Sequence, residues 1–105
     1  AQKFYSEIYD FEMPNVQIGK NTFGFFPVAP GHIGGAIIFG EGHEPSNKGS
    51  LIYLNGGDDL NLVCNRIENA GGKVLQTKTQ ITPDHGYYAL FMDTEGNRVA
   101  LHSMK

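Results

Sequence analysis

The chain has 105 residues, 40% of them hydrophobic, which is one domain's length and enough to bury roughly two-thirds of the unfolded surface. Its formal charge is -3 and its only arginines are Arg66 and Arg98. No basic face is available to neutralise phosphates, so nucleic acid is excluded as an expected partner. No apolar run approaches the roughly 20 residues that span a bilayer and no basic-then-apolar leader is present, so no membrane partner is expected either.

The first predicted element is a helix over Ala1–Tyr9, where Phe4 and Ile8 fall at i and i+4 and Tyr5 and Ile8 at i and i+3. No Ser, Thr, Asp or Asn precedes it to accept the orphan N–H groups, and there is no initiator Met. These features predict that the sequence opens inside an element, with residues upstream. Three strands follow at Phe11–Val16, Thr22–Phe26 and Ile33–Phe39, with Pro14 marking an edge or bulge in the first. Gly40–Gly49 is polar and contains Gly and Pro, the pattern of a linker.

Ser50–Asn55 reads as a strand. Asp58 or Asp59 can cap the next helix, which carries Leu60, Val63, Ile67 and Ala70 on one face and ends at Gly71-Gly72 in the left-handed manner. Lys73–Thr77, Tyr87–Met92 and Arg98–His102 complete the strands. The last two flank Asp93-Thr94-Glu95-Gly96-Asn97, a hairpin turn in which Asp accepts backbone N–H bonds and Gly supplies a positive φ. Alternation puts Val99 and Leu101 on one face of the last strand and Arg98, Ala100 and His102 on the other.

The linker separates helix–strand–strand–strand from strand–helix–strand–strand–strand. That pattern predicts an internal duplication whose first copy lacks its opening strand. The division is 1–39 for the incomplete first module, 40–49 for the linker and 50–105 for the second module, all within one domain.

Several motifs are excluded. Lys48-Gly49-Ser50 inverts the phosphate-loop order, and a strand rather than a helix follows it. There is no G-x-S-x-G elbow, and the Asp93–Asn97 turn lacks the alternating ligands of a calcium loop. His32, His43 and His85 show no metal-ligand spacing and read as surface residues. Cys64, the only cysteine, reads as a structural thiol, and a single cysteine makes a reducing, cytoplasmic setting the default.

Taken together, three pieces resemble the vicinal oxygen chelate superfamily, which includes glyoxalase I, bleomycin- and fosfomycin-resistance proteins and extradiol dioxygenases. Ala1-Gln-Lys-Phe-Tyr5 is similar to the start of that family's first helix. Asp59 with Ala70-Gly-Gly-Lys-Val74 resembles the second helix and its exit. Phe91-Met-Asp93-Thr-Glu-Gly96-Asn97 resembles its "F-x-D-P-x-G-N" hairpin, with Thr94 in place of the common Pro.

The resemblance implies an α+β fold of two βαβββ modules, whose strands form a curved mixed sheet around a trough for a small molecule. In metal-dependent members, side chains in the trough hold a divalent ion that polarises vicinal oxygens. The matching positions here present Ala100 and, at or near the second module's opening strand, Ile52. Ile33–Phe39 offers no carboxylate before Glu41, and the remaining ligand would lie on the strand that is missing. The expected function is therefore binding of a small molecule without a metal or other cofactor, in the manner of drug-sequestering members.

The alternative reading is a metal-dependent lyase, isomerase or dioxygenase, in which a divalent metal uses His102 and residues not present here. A third is a plain dimeric α+β module without a pocket. The candidate ligand-binding residues are His102, Ala100, Ile52, Tyr53 and Tyr88. His102 could contact ligand or act as acid or base, although a strand-end His bonded to backbone is the plainer reading. Tyr53 and Tyr88 each add a hydroxyl to a ring that could stack. A homodimer is expected, because members of the family commonly pair and a sheet lacking one strand exposes an edge.

Overall fold

Asp10 is the one non-glycine residue with a positive φ (53°), and it closes the first helix, α1 (Gln2–Tyr9), by turning the chain sharply away. The computed structural model describes residues 1–105. After Asp10 the chain drops Met13 into the core and packs the half-buried Phe11 against it, so this stretch packs rather than pairs. The first strand, β1 (Asn15–Ile18), therefore begins after Pro14, later than the expected Phe11–Val16. Pro14 has no N–H to give to a ladder, though its carbonyl accepts the Phe25 N–H at 3.1 Å.

A tight turn at Gly19 leads into β2 (Asn21–Phe25), and β3 (Ala36–Phe39) completes an antiparallel sheet in the order β1-β2-β3. The last strand is shorter than the expected Ile33–Phe39. Gly34 and Gly35 have no side chain to hold a pleat, and Phe26–Gly35 forms a loop closed by a Phe26 N–H bond to the Gly35 carbonyl.

Residues 40–49 form no helix or strand, and the Ser46 N–H pins this connection to Asn97 Oδ1 at 2.8 Å. Next come β4 (Tyr53–Asn55), α2 (Leu60–Ile67), β5 (Lys73–Thr82), β6 (Gly86–Met92) and β7 (Arg98–Ser103). Asp59 is the N-cap, its carboxylate accepting the Asn61 N–H at 3.0 Å. Gly72 N–H bonds the Ile67 carbonyl and Gly71 N–H the Glu68 carbonyl, with Gly71 at φ 103°, so α2 ends in a Schellman motif as its sequence predicts.

The second sheet runs β4-β7-β6-β5. β4 lies parallel to β7 and the remaining pairs are antiparallel, which is the closed βαβββ pattern. The first unit has the same order without its opening strand, leaving β3 unpaired along its outer edge. The fold is thus α+β, with a mixed sheet. β5 runs five residues beyond the expected Thr77. That extension is largely polar and exposed, and its register is broken by irregularities that suit a sheet edge.

Register divides the second sheet cleanly. Leu54, Val74, Ala89, Phe91, Val99 and Leu101 face the helices and the core. There they meet Phe4, Tyr5 and Ile8 of α1 and Leu60, Val63 and Ile67 of α2. The Tyr5 ring packs edge-on against Phe26 at 5.3 Å and Phe91 at 6.4 Å, so α1 joins the two units. Arg66 ties the two helices by donating to the Ile8 carbonyl at 3.1 Å.

The β6–β7 hairpin is built around one carboxylate. Asp93 Oδ1 accepts the N–H groups of Glu95 and Asn97, each at 2.9 Å. Its Oδ2 accepts from Asn97 Nδ2 at 3.0 Å and from the Tyr5 hydroxyl at 2.9 Å. Tyr5 is only 3% exposed and Asp93 6%, so this pair links α1 to the hairpin inside the core. Burial, followed by the neighbouring Asp93 charge, pushes the Tyr5 hydroxyl far above its ordinary pKa.

Candidate functional site

The face of the second sheet that turns away from the helices carries most of the residues singled out in the sequence. Tyr53 is the register partner of Ala100, Asn55 of His102, and Tyr88 of His102 from the other side. Cross-strand partners share a face, so Tyr53, Asn55, Ala100, His102 and Tyr88 stand together. Val99 and Leu101 point into the core while Arg98, Ala100 and His102 do not join it, the division read from alternation.

Ile52 falls outside this group. It precedes β4 and is 58% exposed, and what it supplies to the sheet is its carbonyl, which accepts the Ala100 N–H at 2.9 Å. The residue of this strand that pairs with Ala100 is Tyr53, one position on.

Ala100 itself is fully buried, and a methyl group has no lone pair for a cation. His102 Nε2 lies 2.7 Å from the His85 carbonyl oxygen. A carbonyl only accepts, so this nitrogen carries the proton and Nδ1 is left to accept. Tyr88 is also held: Gln76 Nε2 donates to its hydroxyl at 2.9 Å and reaches Thr79 Oγ1 at 3.2 Å. His85 Nδ1 pairs with the Thr82 hydroxyl at 2.6 Å. No group of three His, Cys, Asp or Glu side chains comes together anywhere in the chain. Among the residues grouped on this face, His102 alone is of these types, one ligand where a catalytic zinc takes three protein ligands.

Two hollows meet at β4. One, of about 600 Å³, lies between β4 and the Phe26–Gly35 loop and is lined by Tyr9, Phe26, Val28, Ile33, Tyr53 and Asn55 among others. The second, of about 680 Å³, continues past Tyr53 and Asn55 to His102, Asp58 and Lys105. Both volumes fall in the usual range for small-molecule sites. A third, of about 800 Å³, lies elsewhere, between the start of α1, β3 and the hairpin loop, with Lys3, His43, Glu44 and Glu95 around it.

At the junction the Tyr9 hydroxyl donates to the Asn55 carbonyl at 2.8 Å, capping a β4 backbone oxygen from across the core. Burial raises the Tyr9 hydroxyl far above its ordinary pKa, so it remains a neutral donor. The Asn55 side chain accepts the Gly57 N–H through Oδ1 at 2.9 Å, which orients its amide and leaves the NH2 group to donate.

Tyr9, Asn55 and the Phe26–Gly35 lining were not singled out in the sequence. Asn55 could have been found, since alternation places it two residues beyond Tyr53. Tyr9 had no such signal, because its contact with β4 spans 46 positions. The aromatic residues divide by position. Phe91 is core, Phe26 and Tyr87 pack against it, and Tyr53 and Phe25 are exposed. Phe25 stacks on Phe23 at 6.1 Å.

Comparison with known proteins places this geometry. The family model described as Glyoxalase/Bleomycin resistance protein/Dioxygenase superfamily matches residues 1–101. No curated protein sequence matches the chain. Among solved structures, the hypothetical protein SA1046 from S. aureus is 19% identical with a TM-score of 0.65, the match covering 97% of this chain and 83% of that one. A glyoxalase/bleomycin resistance protein/dioxygenase family enzyme from Burkholderia phytofirmans PsJN is 15% identical with a TM-score of 0.67, covering 97% and 86%. Glyoxalase I from Zea mays is 16% identical with a TM-score of 0.60, covering 96% of this chain but 38% of the maize chain. At these identities the structures share a fold, and the family follows from the family model: this chain belongs to the Glyoxalase/Bleomycin resistance protein/Dioxygenase superfamily.

Proposed function

We propose that the chain is a small-molecule-binding protein of this superfamily that works without a metal centre, its ligand held against the face of the four-stranded sheet that turns away from the helices. The observation that carries this reading is the donor set. Of the residues grouped there, Tyr53, Asn55, Tyr88, Ala100 and His102, only His102 is a usual ligand for a cation, and Ala100 contributes a methyl with no lone pair. The hollows at β4 have the size that ligand sites share, one with a largely apolar lining and the other with a largely polar one.

Pairing with a second copy fits the exposed apolar side chains of Tyr53 and Phe39. Light scattering at micromolar concentration then gives a dimer mass, and a monomer mass contradicts this part of the reading. No helix is long and apolar enough to cross a membrane. A reducing, cytoplasmic setting suits the single cysteine, Cys64, whose half-buried thiol is pushed up in pKa by burial, partly opposed by the Lys78 charge.

The experiment is a thermal-shift screen of a small-molecule library run twice, once with EDTA and once with Zn, Ni, Mn and Fe(II). Ligands that stabilise the protein equally in both arms support the reading. Ligands that act only in the metal arm favour the metal-dependent lyase, isomerase or dioxygenase alternative. No ligand in either arm contradicts both.

A further inference from the structure

Asn55 is the only asparagine of the chain that a glycine follows, in Asn55-Gly56-Gly57 at the end of β4. The pair carries an intrinsic reactivity. The backbone nitrogen after an asparagine can attack the side-chain Cγ and close a five-membered imide, and glycine has no side chain to hinder the approach. The attack has two geometric requirements. The nitrogen must be able to shed its proton, and the backbone must be able to swing it over the amide carbon.

In the folded chain both are blocked. Gly56 N–H donates to the His102 carbonyl at 2.7 Å, continuing the parallel pairing of β4 with β7. Gly57 N–H donates to Asn55 Oδ1 at 2.9 Å, an Asx turn that fixes the amide. The Ser103 hydroxyl donates to the Gly57 carbonyl at 2.9 Å, and the Tyr9 hydroxyl to the Asn55 carbonyl at 2.8 Å. These four hydrogen bonds hold the three residues from β7, from α1 and from within. The same close packing demands the glycine: a Cβ at Gly56 would lie 2.5 Å from Leu60 Cδ1 and 3.1 Å from the His102 carbonyl oxygen. The fold therefore needs the residue that makes Asn55 labile, and supplies the bonds that restrain it.

We propose that Asn55 is a latent deamidation site, silent while the end of β4 is fastened to β7 and reactive when that end opens. On opening, the Gly56 nitrogen bonds to Asn55 Cγ and the Cγ–Nδ2 bond breaks. The side-chain nitrogen leaves as ammonia, taking up the Gly56 proton. Water then adds to either imide carbonyl and opens the ring to aspartate or isoaspartate, so the net reaction consumes water and releases ammonia. Isoaspartate lengthens the main chain by a methylene, which shifts the Gly56 N–H out of register with His102 and keeps the end of β4 from closing as before.

The test incubates the protein, folded and in guanidinium chloride, in one mildly alkaline buffer. Peptide mass mapping follows each asparagine, with fragmentation separating Asn55 from Asn61 and Asn65. Asn55 is expected to convert fastest of all the asparagines in the unfolded chain, and at least about tenfold more slowly once folded. Ser103→Ala and Tyr9→Phe each remove one restraining bond. Each is expected to raise Asn55 conversion and hydrogen exchange at the Gly56 amide by the same factor, because both report the opened population. With two variants, the comparison survives if one of them does not fold.

Equal conversion in the folded and unfolded chains overturns the proposal, as does another asparagine that outpaces Asn55 once unfolded. Variants that speed exchange at Gly56 while conversion stays unchanged also overturn it, and so do variants that change neither rate.

Discussion

Replacing Asp93 with alanine removes four hydrogen bonds at once, and their surroundings decide what each loss costs. The N–H groups of Glu95 and Asn97 and the Asn97 side-chain amide sit on a hairpin loop with access to water, so each lost bond costs about 0.5–1 kcal/mol net. The Tyr5 hydroxyl is different. At 3% exposure it has no water to turn to, and an orphaned buried hydroxyl costs about 1–3 kcal/mol. Asp93→Ala is therefore expected to lose about 3–5 kcal/mol, a large part of the roughly 5–15 kcal/mol that holds a domain of this kind folded. Tyr5→Phe alone deletes the donor and leaves Asp93 with three partners, costing about 1–2 kcal/mol. In the Asp93→Ala background the same change removes the orphan and costs nothing, which gives a coupling of about 1–2 kcal/mol. Urea unfolding followed by far-ultraviolet circular dichroism measures all four corners of the cycle, the method suiting a chain with no Trp. Additive effects, or a loss below about 1 kcal/mol for Asp93→Ala, would refute the view that this carboxylate joins the first helix to the last hairpin.

Alkaline stability follows from the two buried tyrosines. Both Tyr5 and Tyr9 have folded pKa values above their ordinary 10.0, so the unfolded chain loses its protons first. Their contribution is complete below about pH 10 and declines as pH rises past it; Tyr5→Phe and Tyr9→Phe flatten that decline in urea midpoints taken across the range. Phe91→Ala empties a fully buried ring from against Phe4 and Tyr5 of α1 and costs about 3–5 kcal/mol in the same assay, and an effect under about 1 kcal/mol would contradict the packing described. A Cβ at Gly72 would stand 2.6 Å from the Phe4 ring and 2.8 Å from the Met92 carbonyl oxygen, so Gly72→Ala costs about 1–3 kcal/mol. Asp59→Ala removes the α2 cap and costs about 0.5–2 kcal/mol, read as a fall in the thermal midpoint.

The elements that could be read from sequence were those whose burial repeats with a clear period. α2 displays Leu60, Val63 and Ile67 at helical spacing between an Asp cap and a Gly exit, and β6 and β7 are apolar runs flanking a turn whose Asp and Gly have assigned duties. β1 was misplaced because apolar Phe11 and Met13 look like strand residues but are drawn into the core by the left-handed turn at Asp10. The second half of β5 is polar apart from the exposed Ile81, as an edge strand can be, and apolar periodicity is then silent.

The same distinction governs the site. Alternation grouped Arg98, Ala100 and His102, but it took the parallel register of β4 against β7 to bring Tyr53 rather than Ile52 beside Ala100. The Asn55–Tyr9 junction and the loop that walls the hollow depend on contacts between distant segments, for which a single sequence carries no local signal.

The account turns on the donor set of the sheet face, and calorimetric titration of the metal-stripped protein with Zn, Ni, Mn and Fe(II) tests it most directly. With a methyl at Ala100 and His102 the one usual metal ligand among the residues grouped on this face, no ion is expected to bind at one equivalent per chain. Tight stoichiometric binding that His102→Ala abolishes would contradict it, and would move the protein to the metal-dependent side of its superfamily.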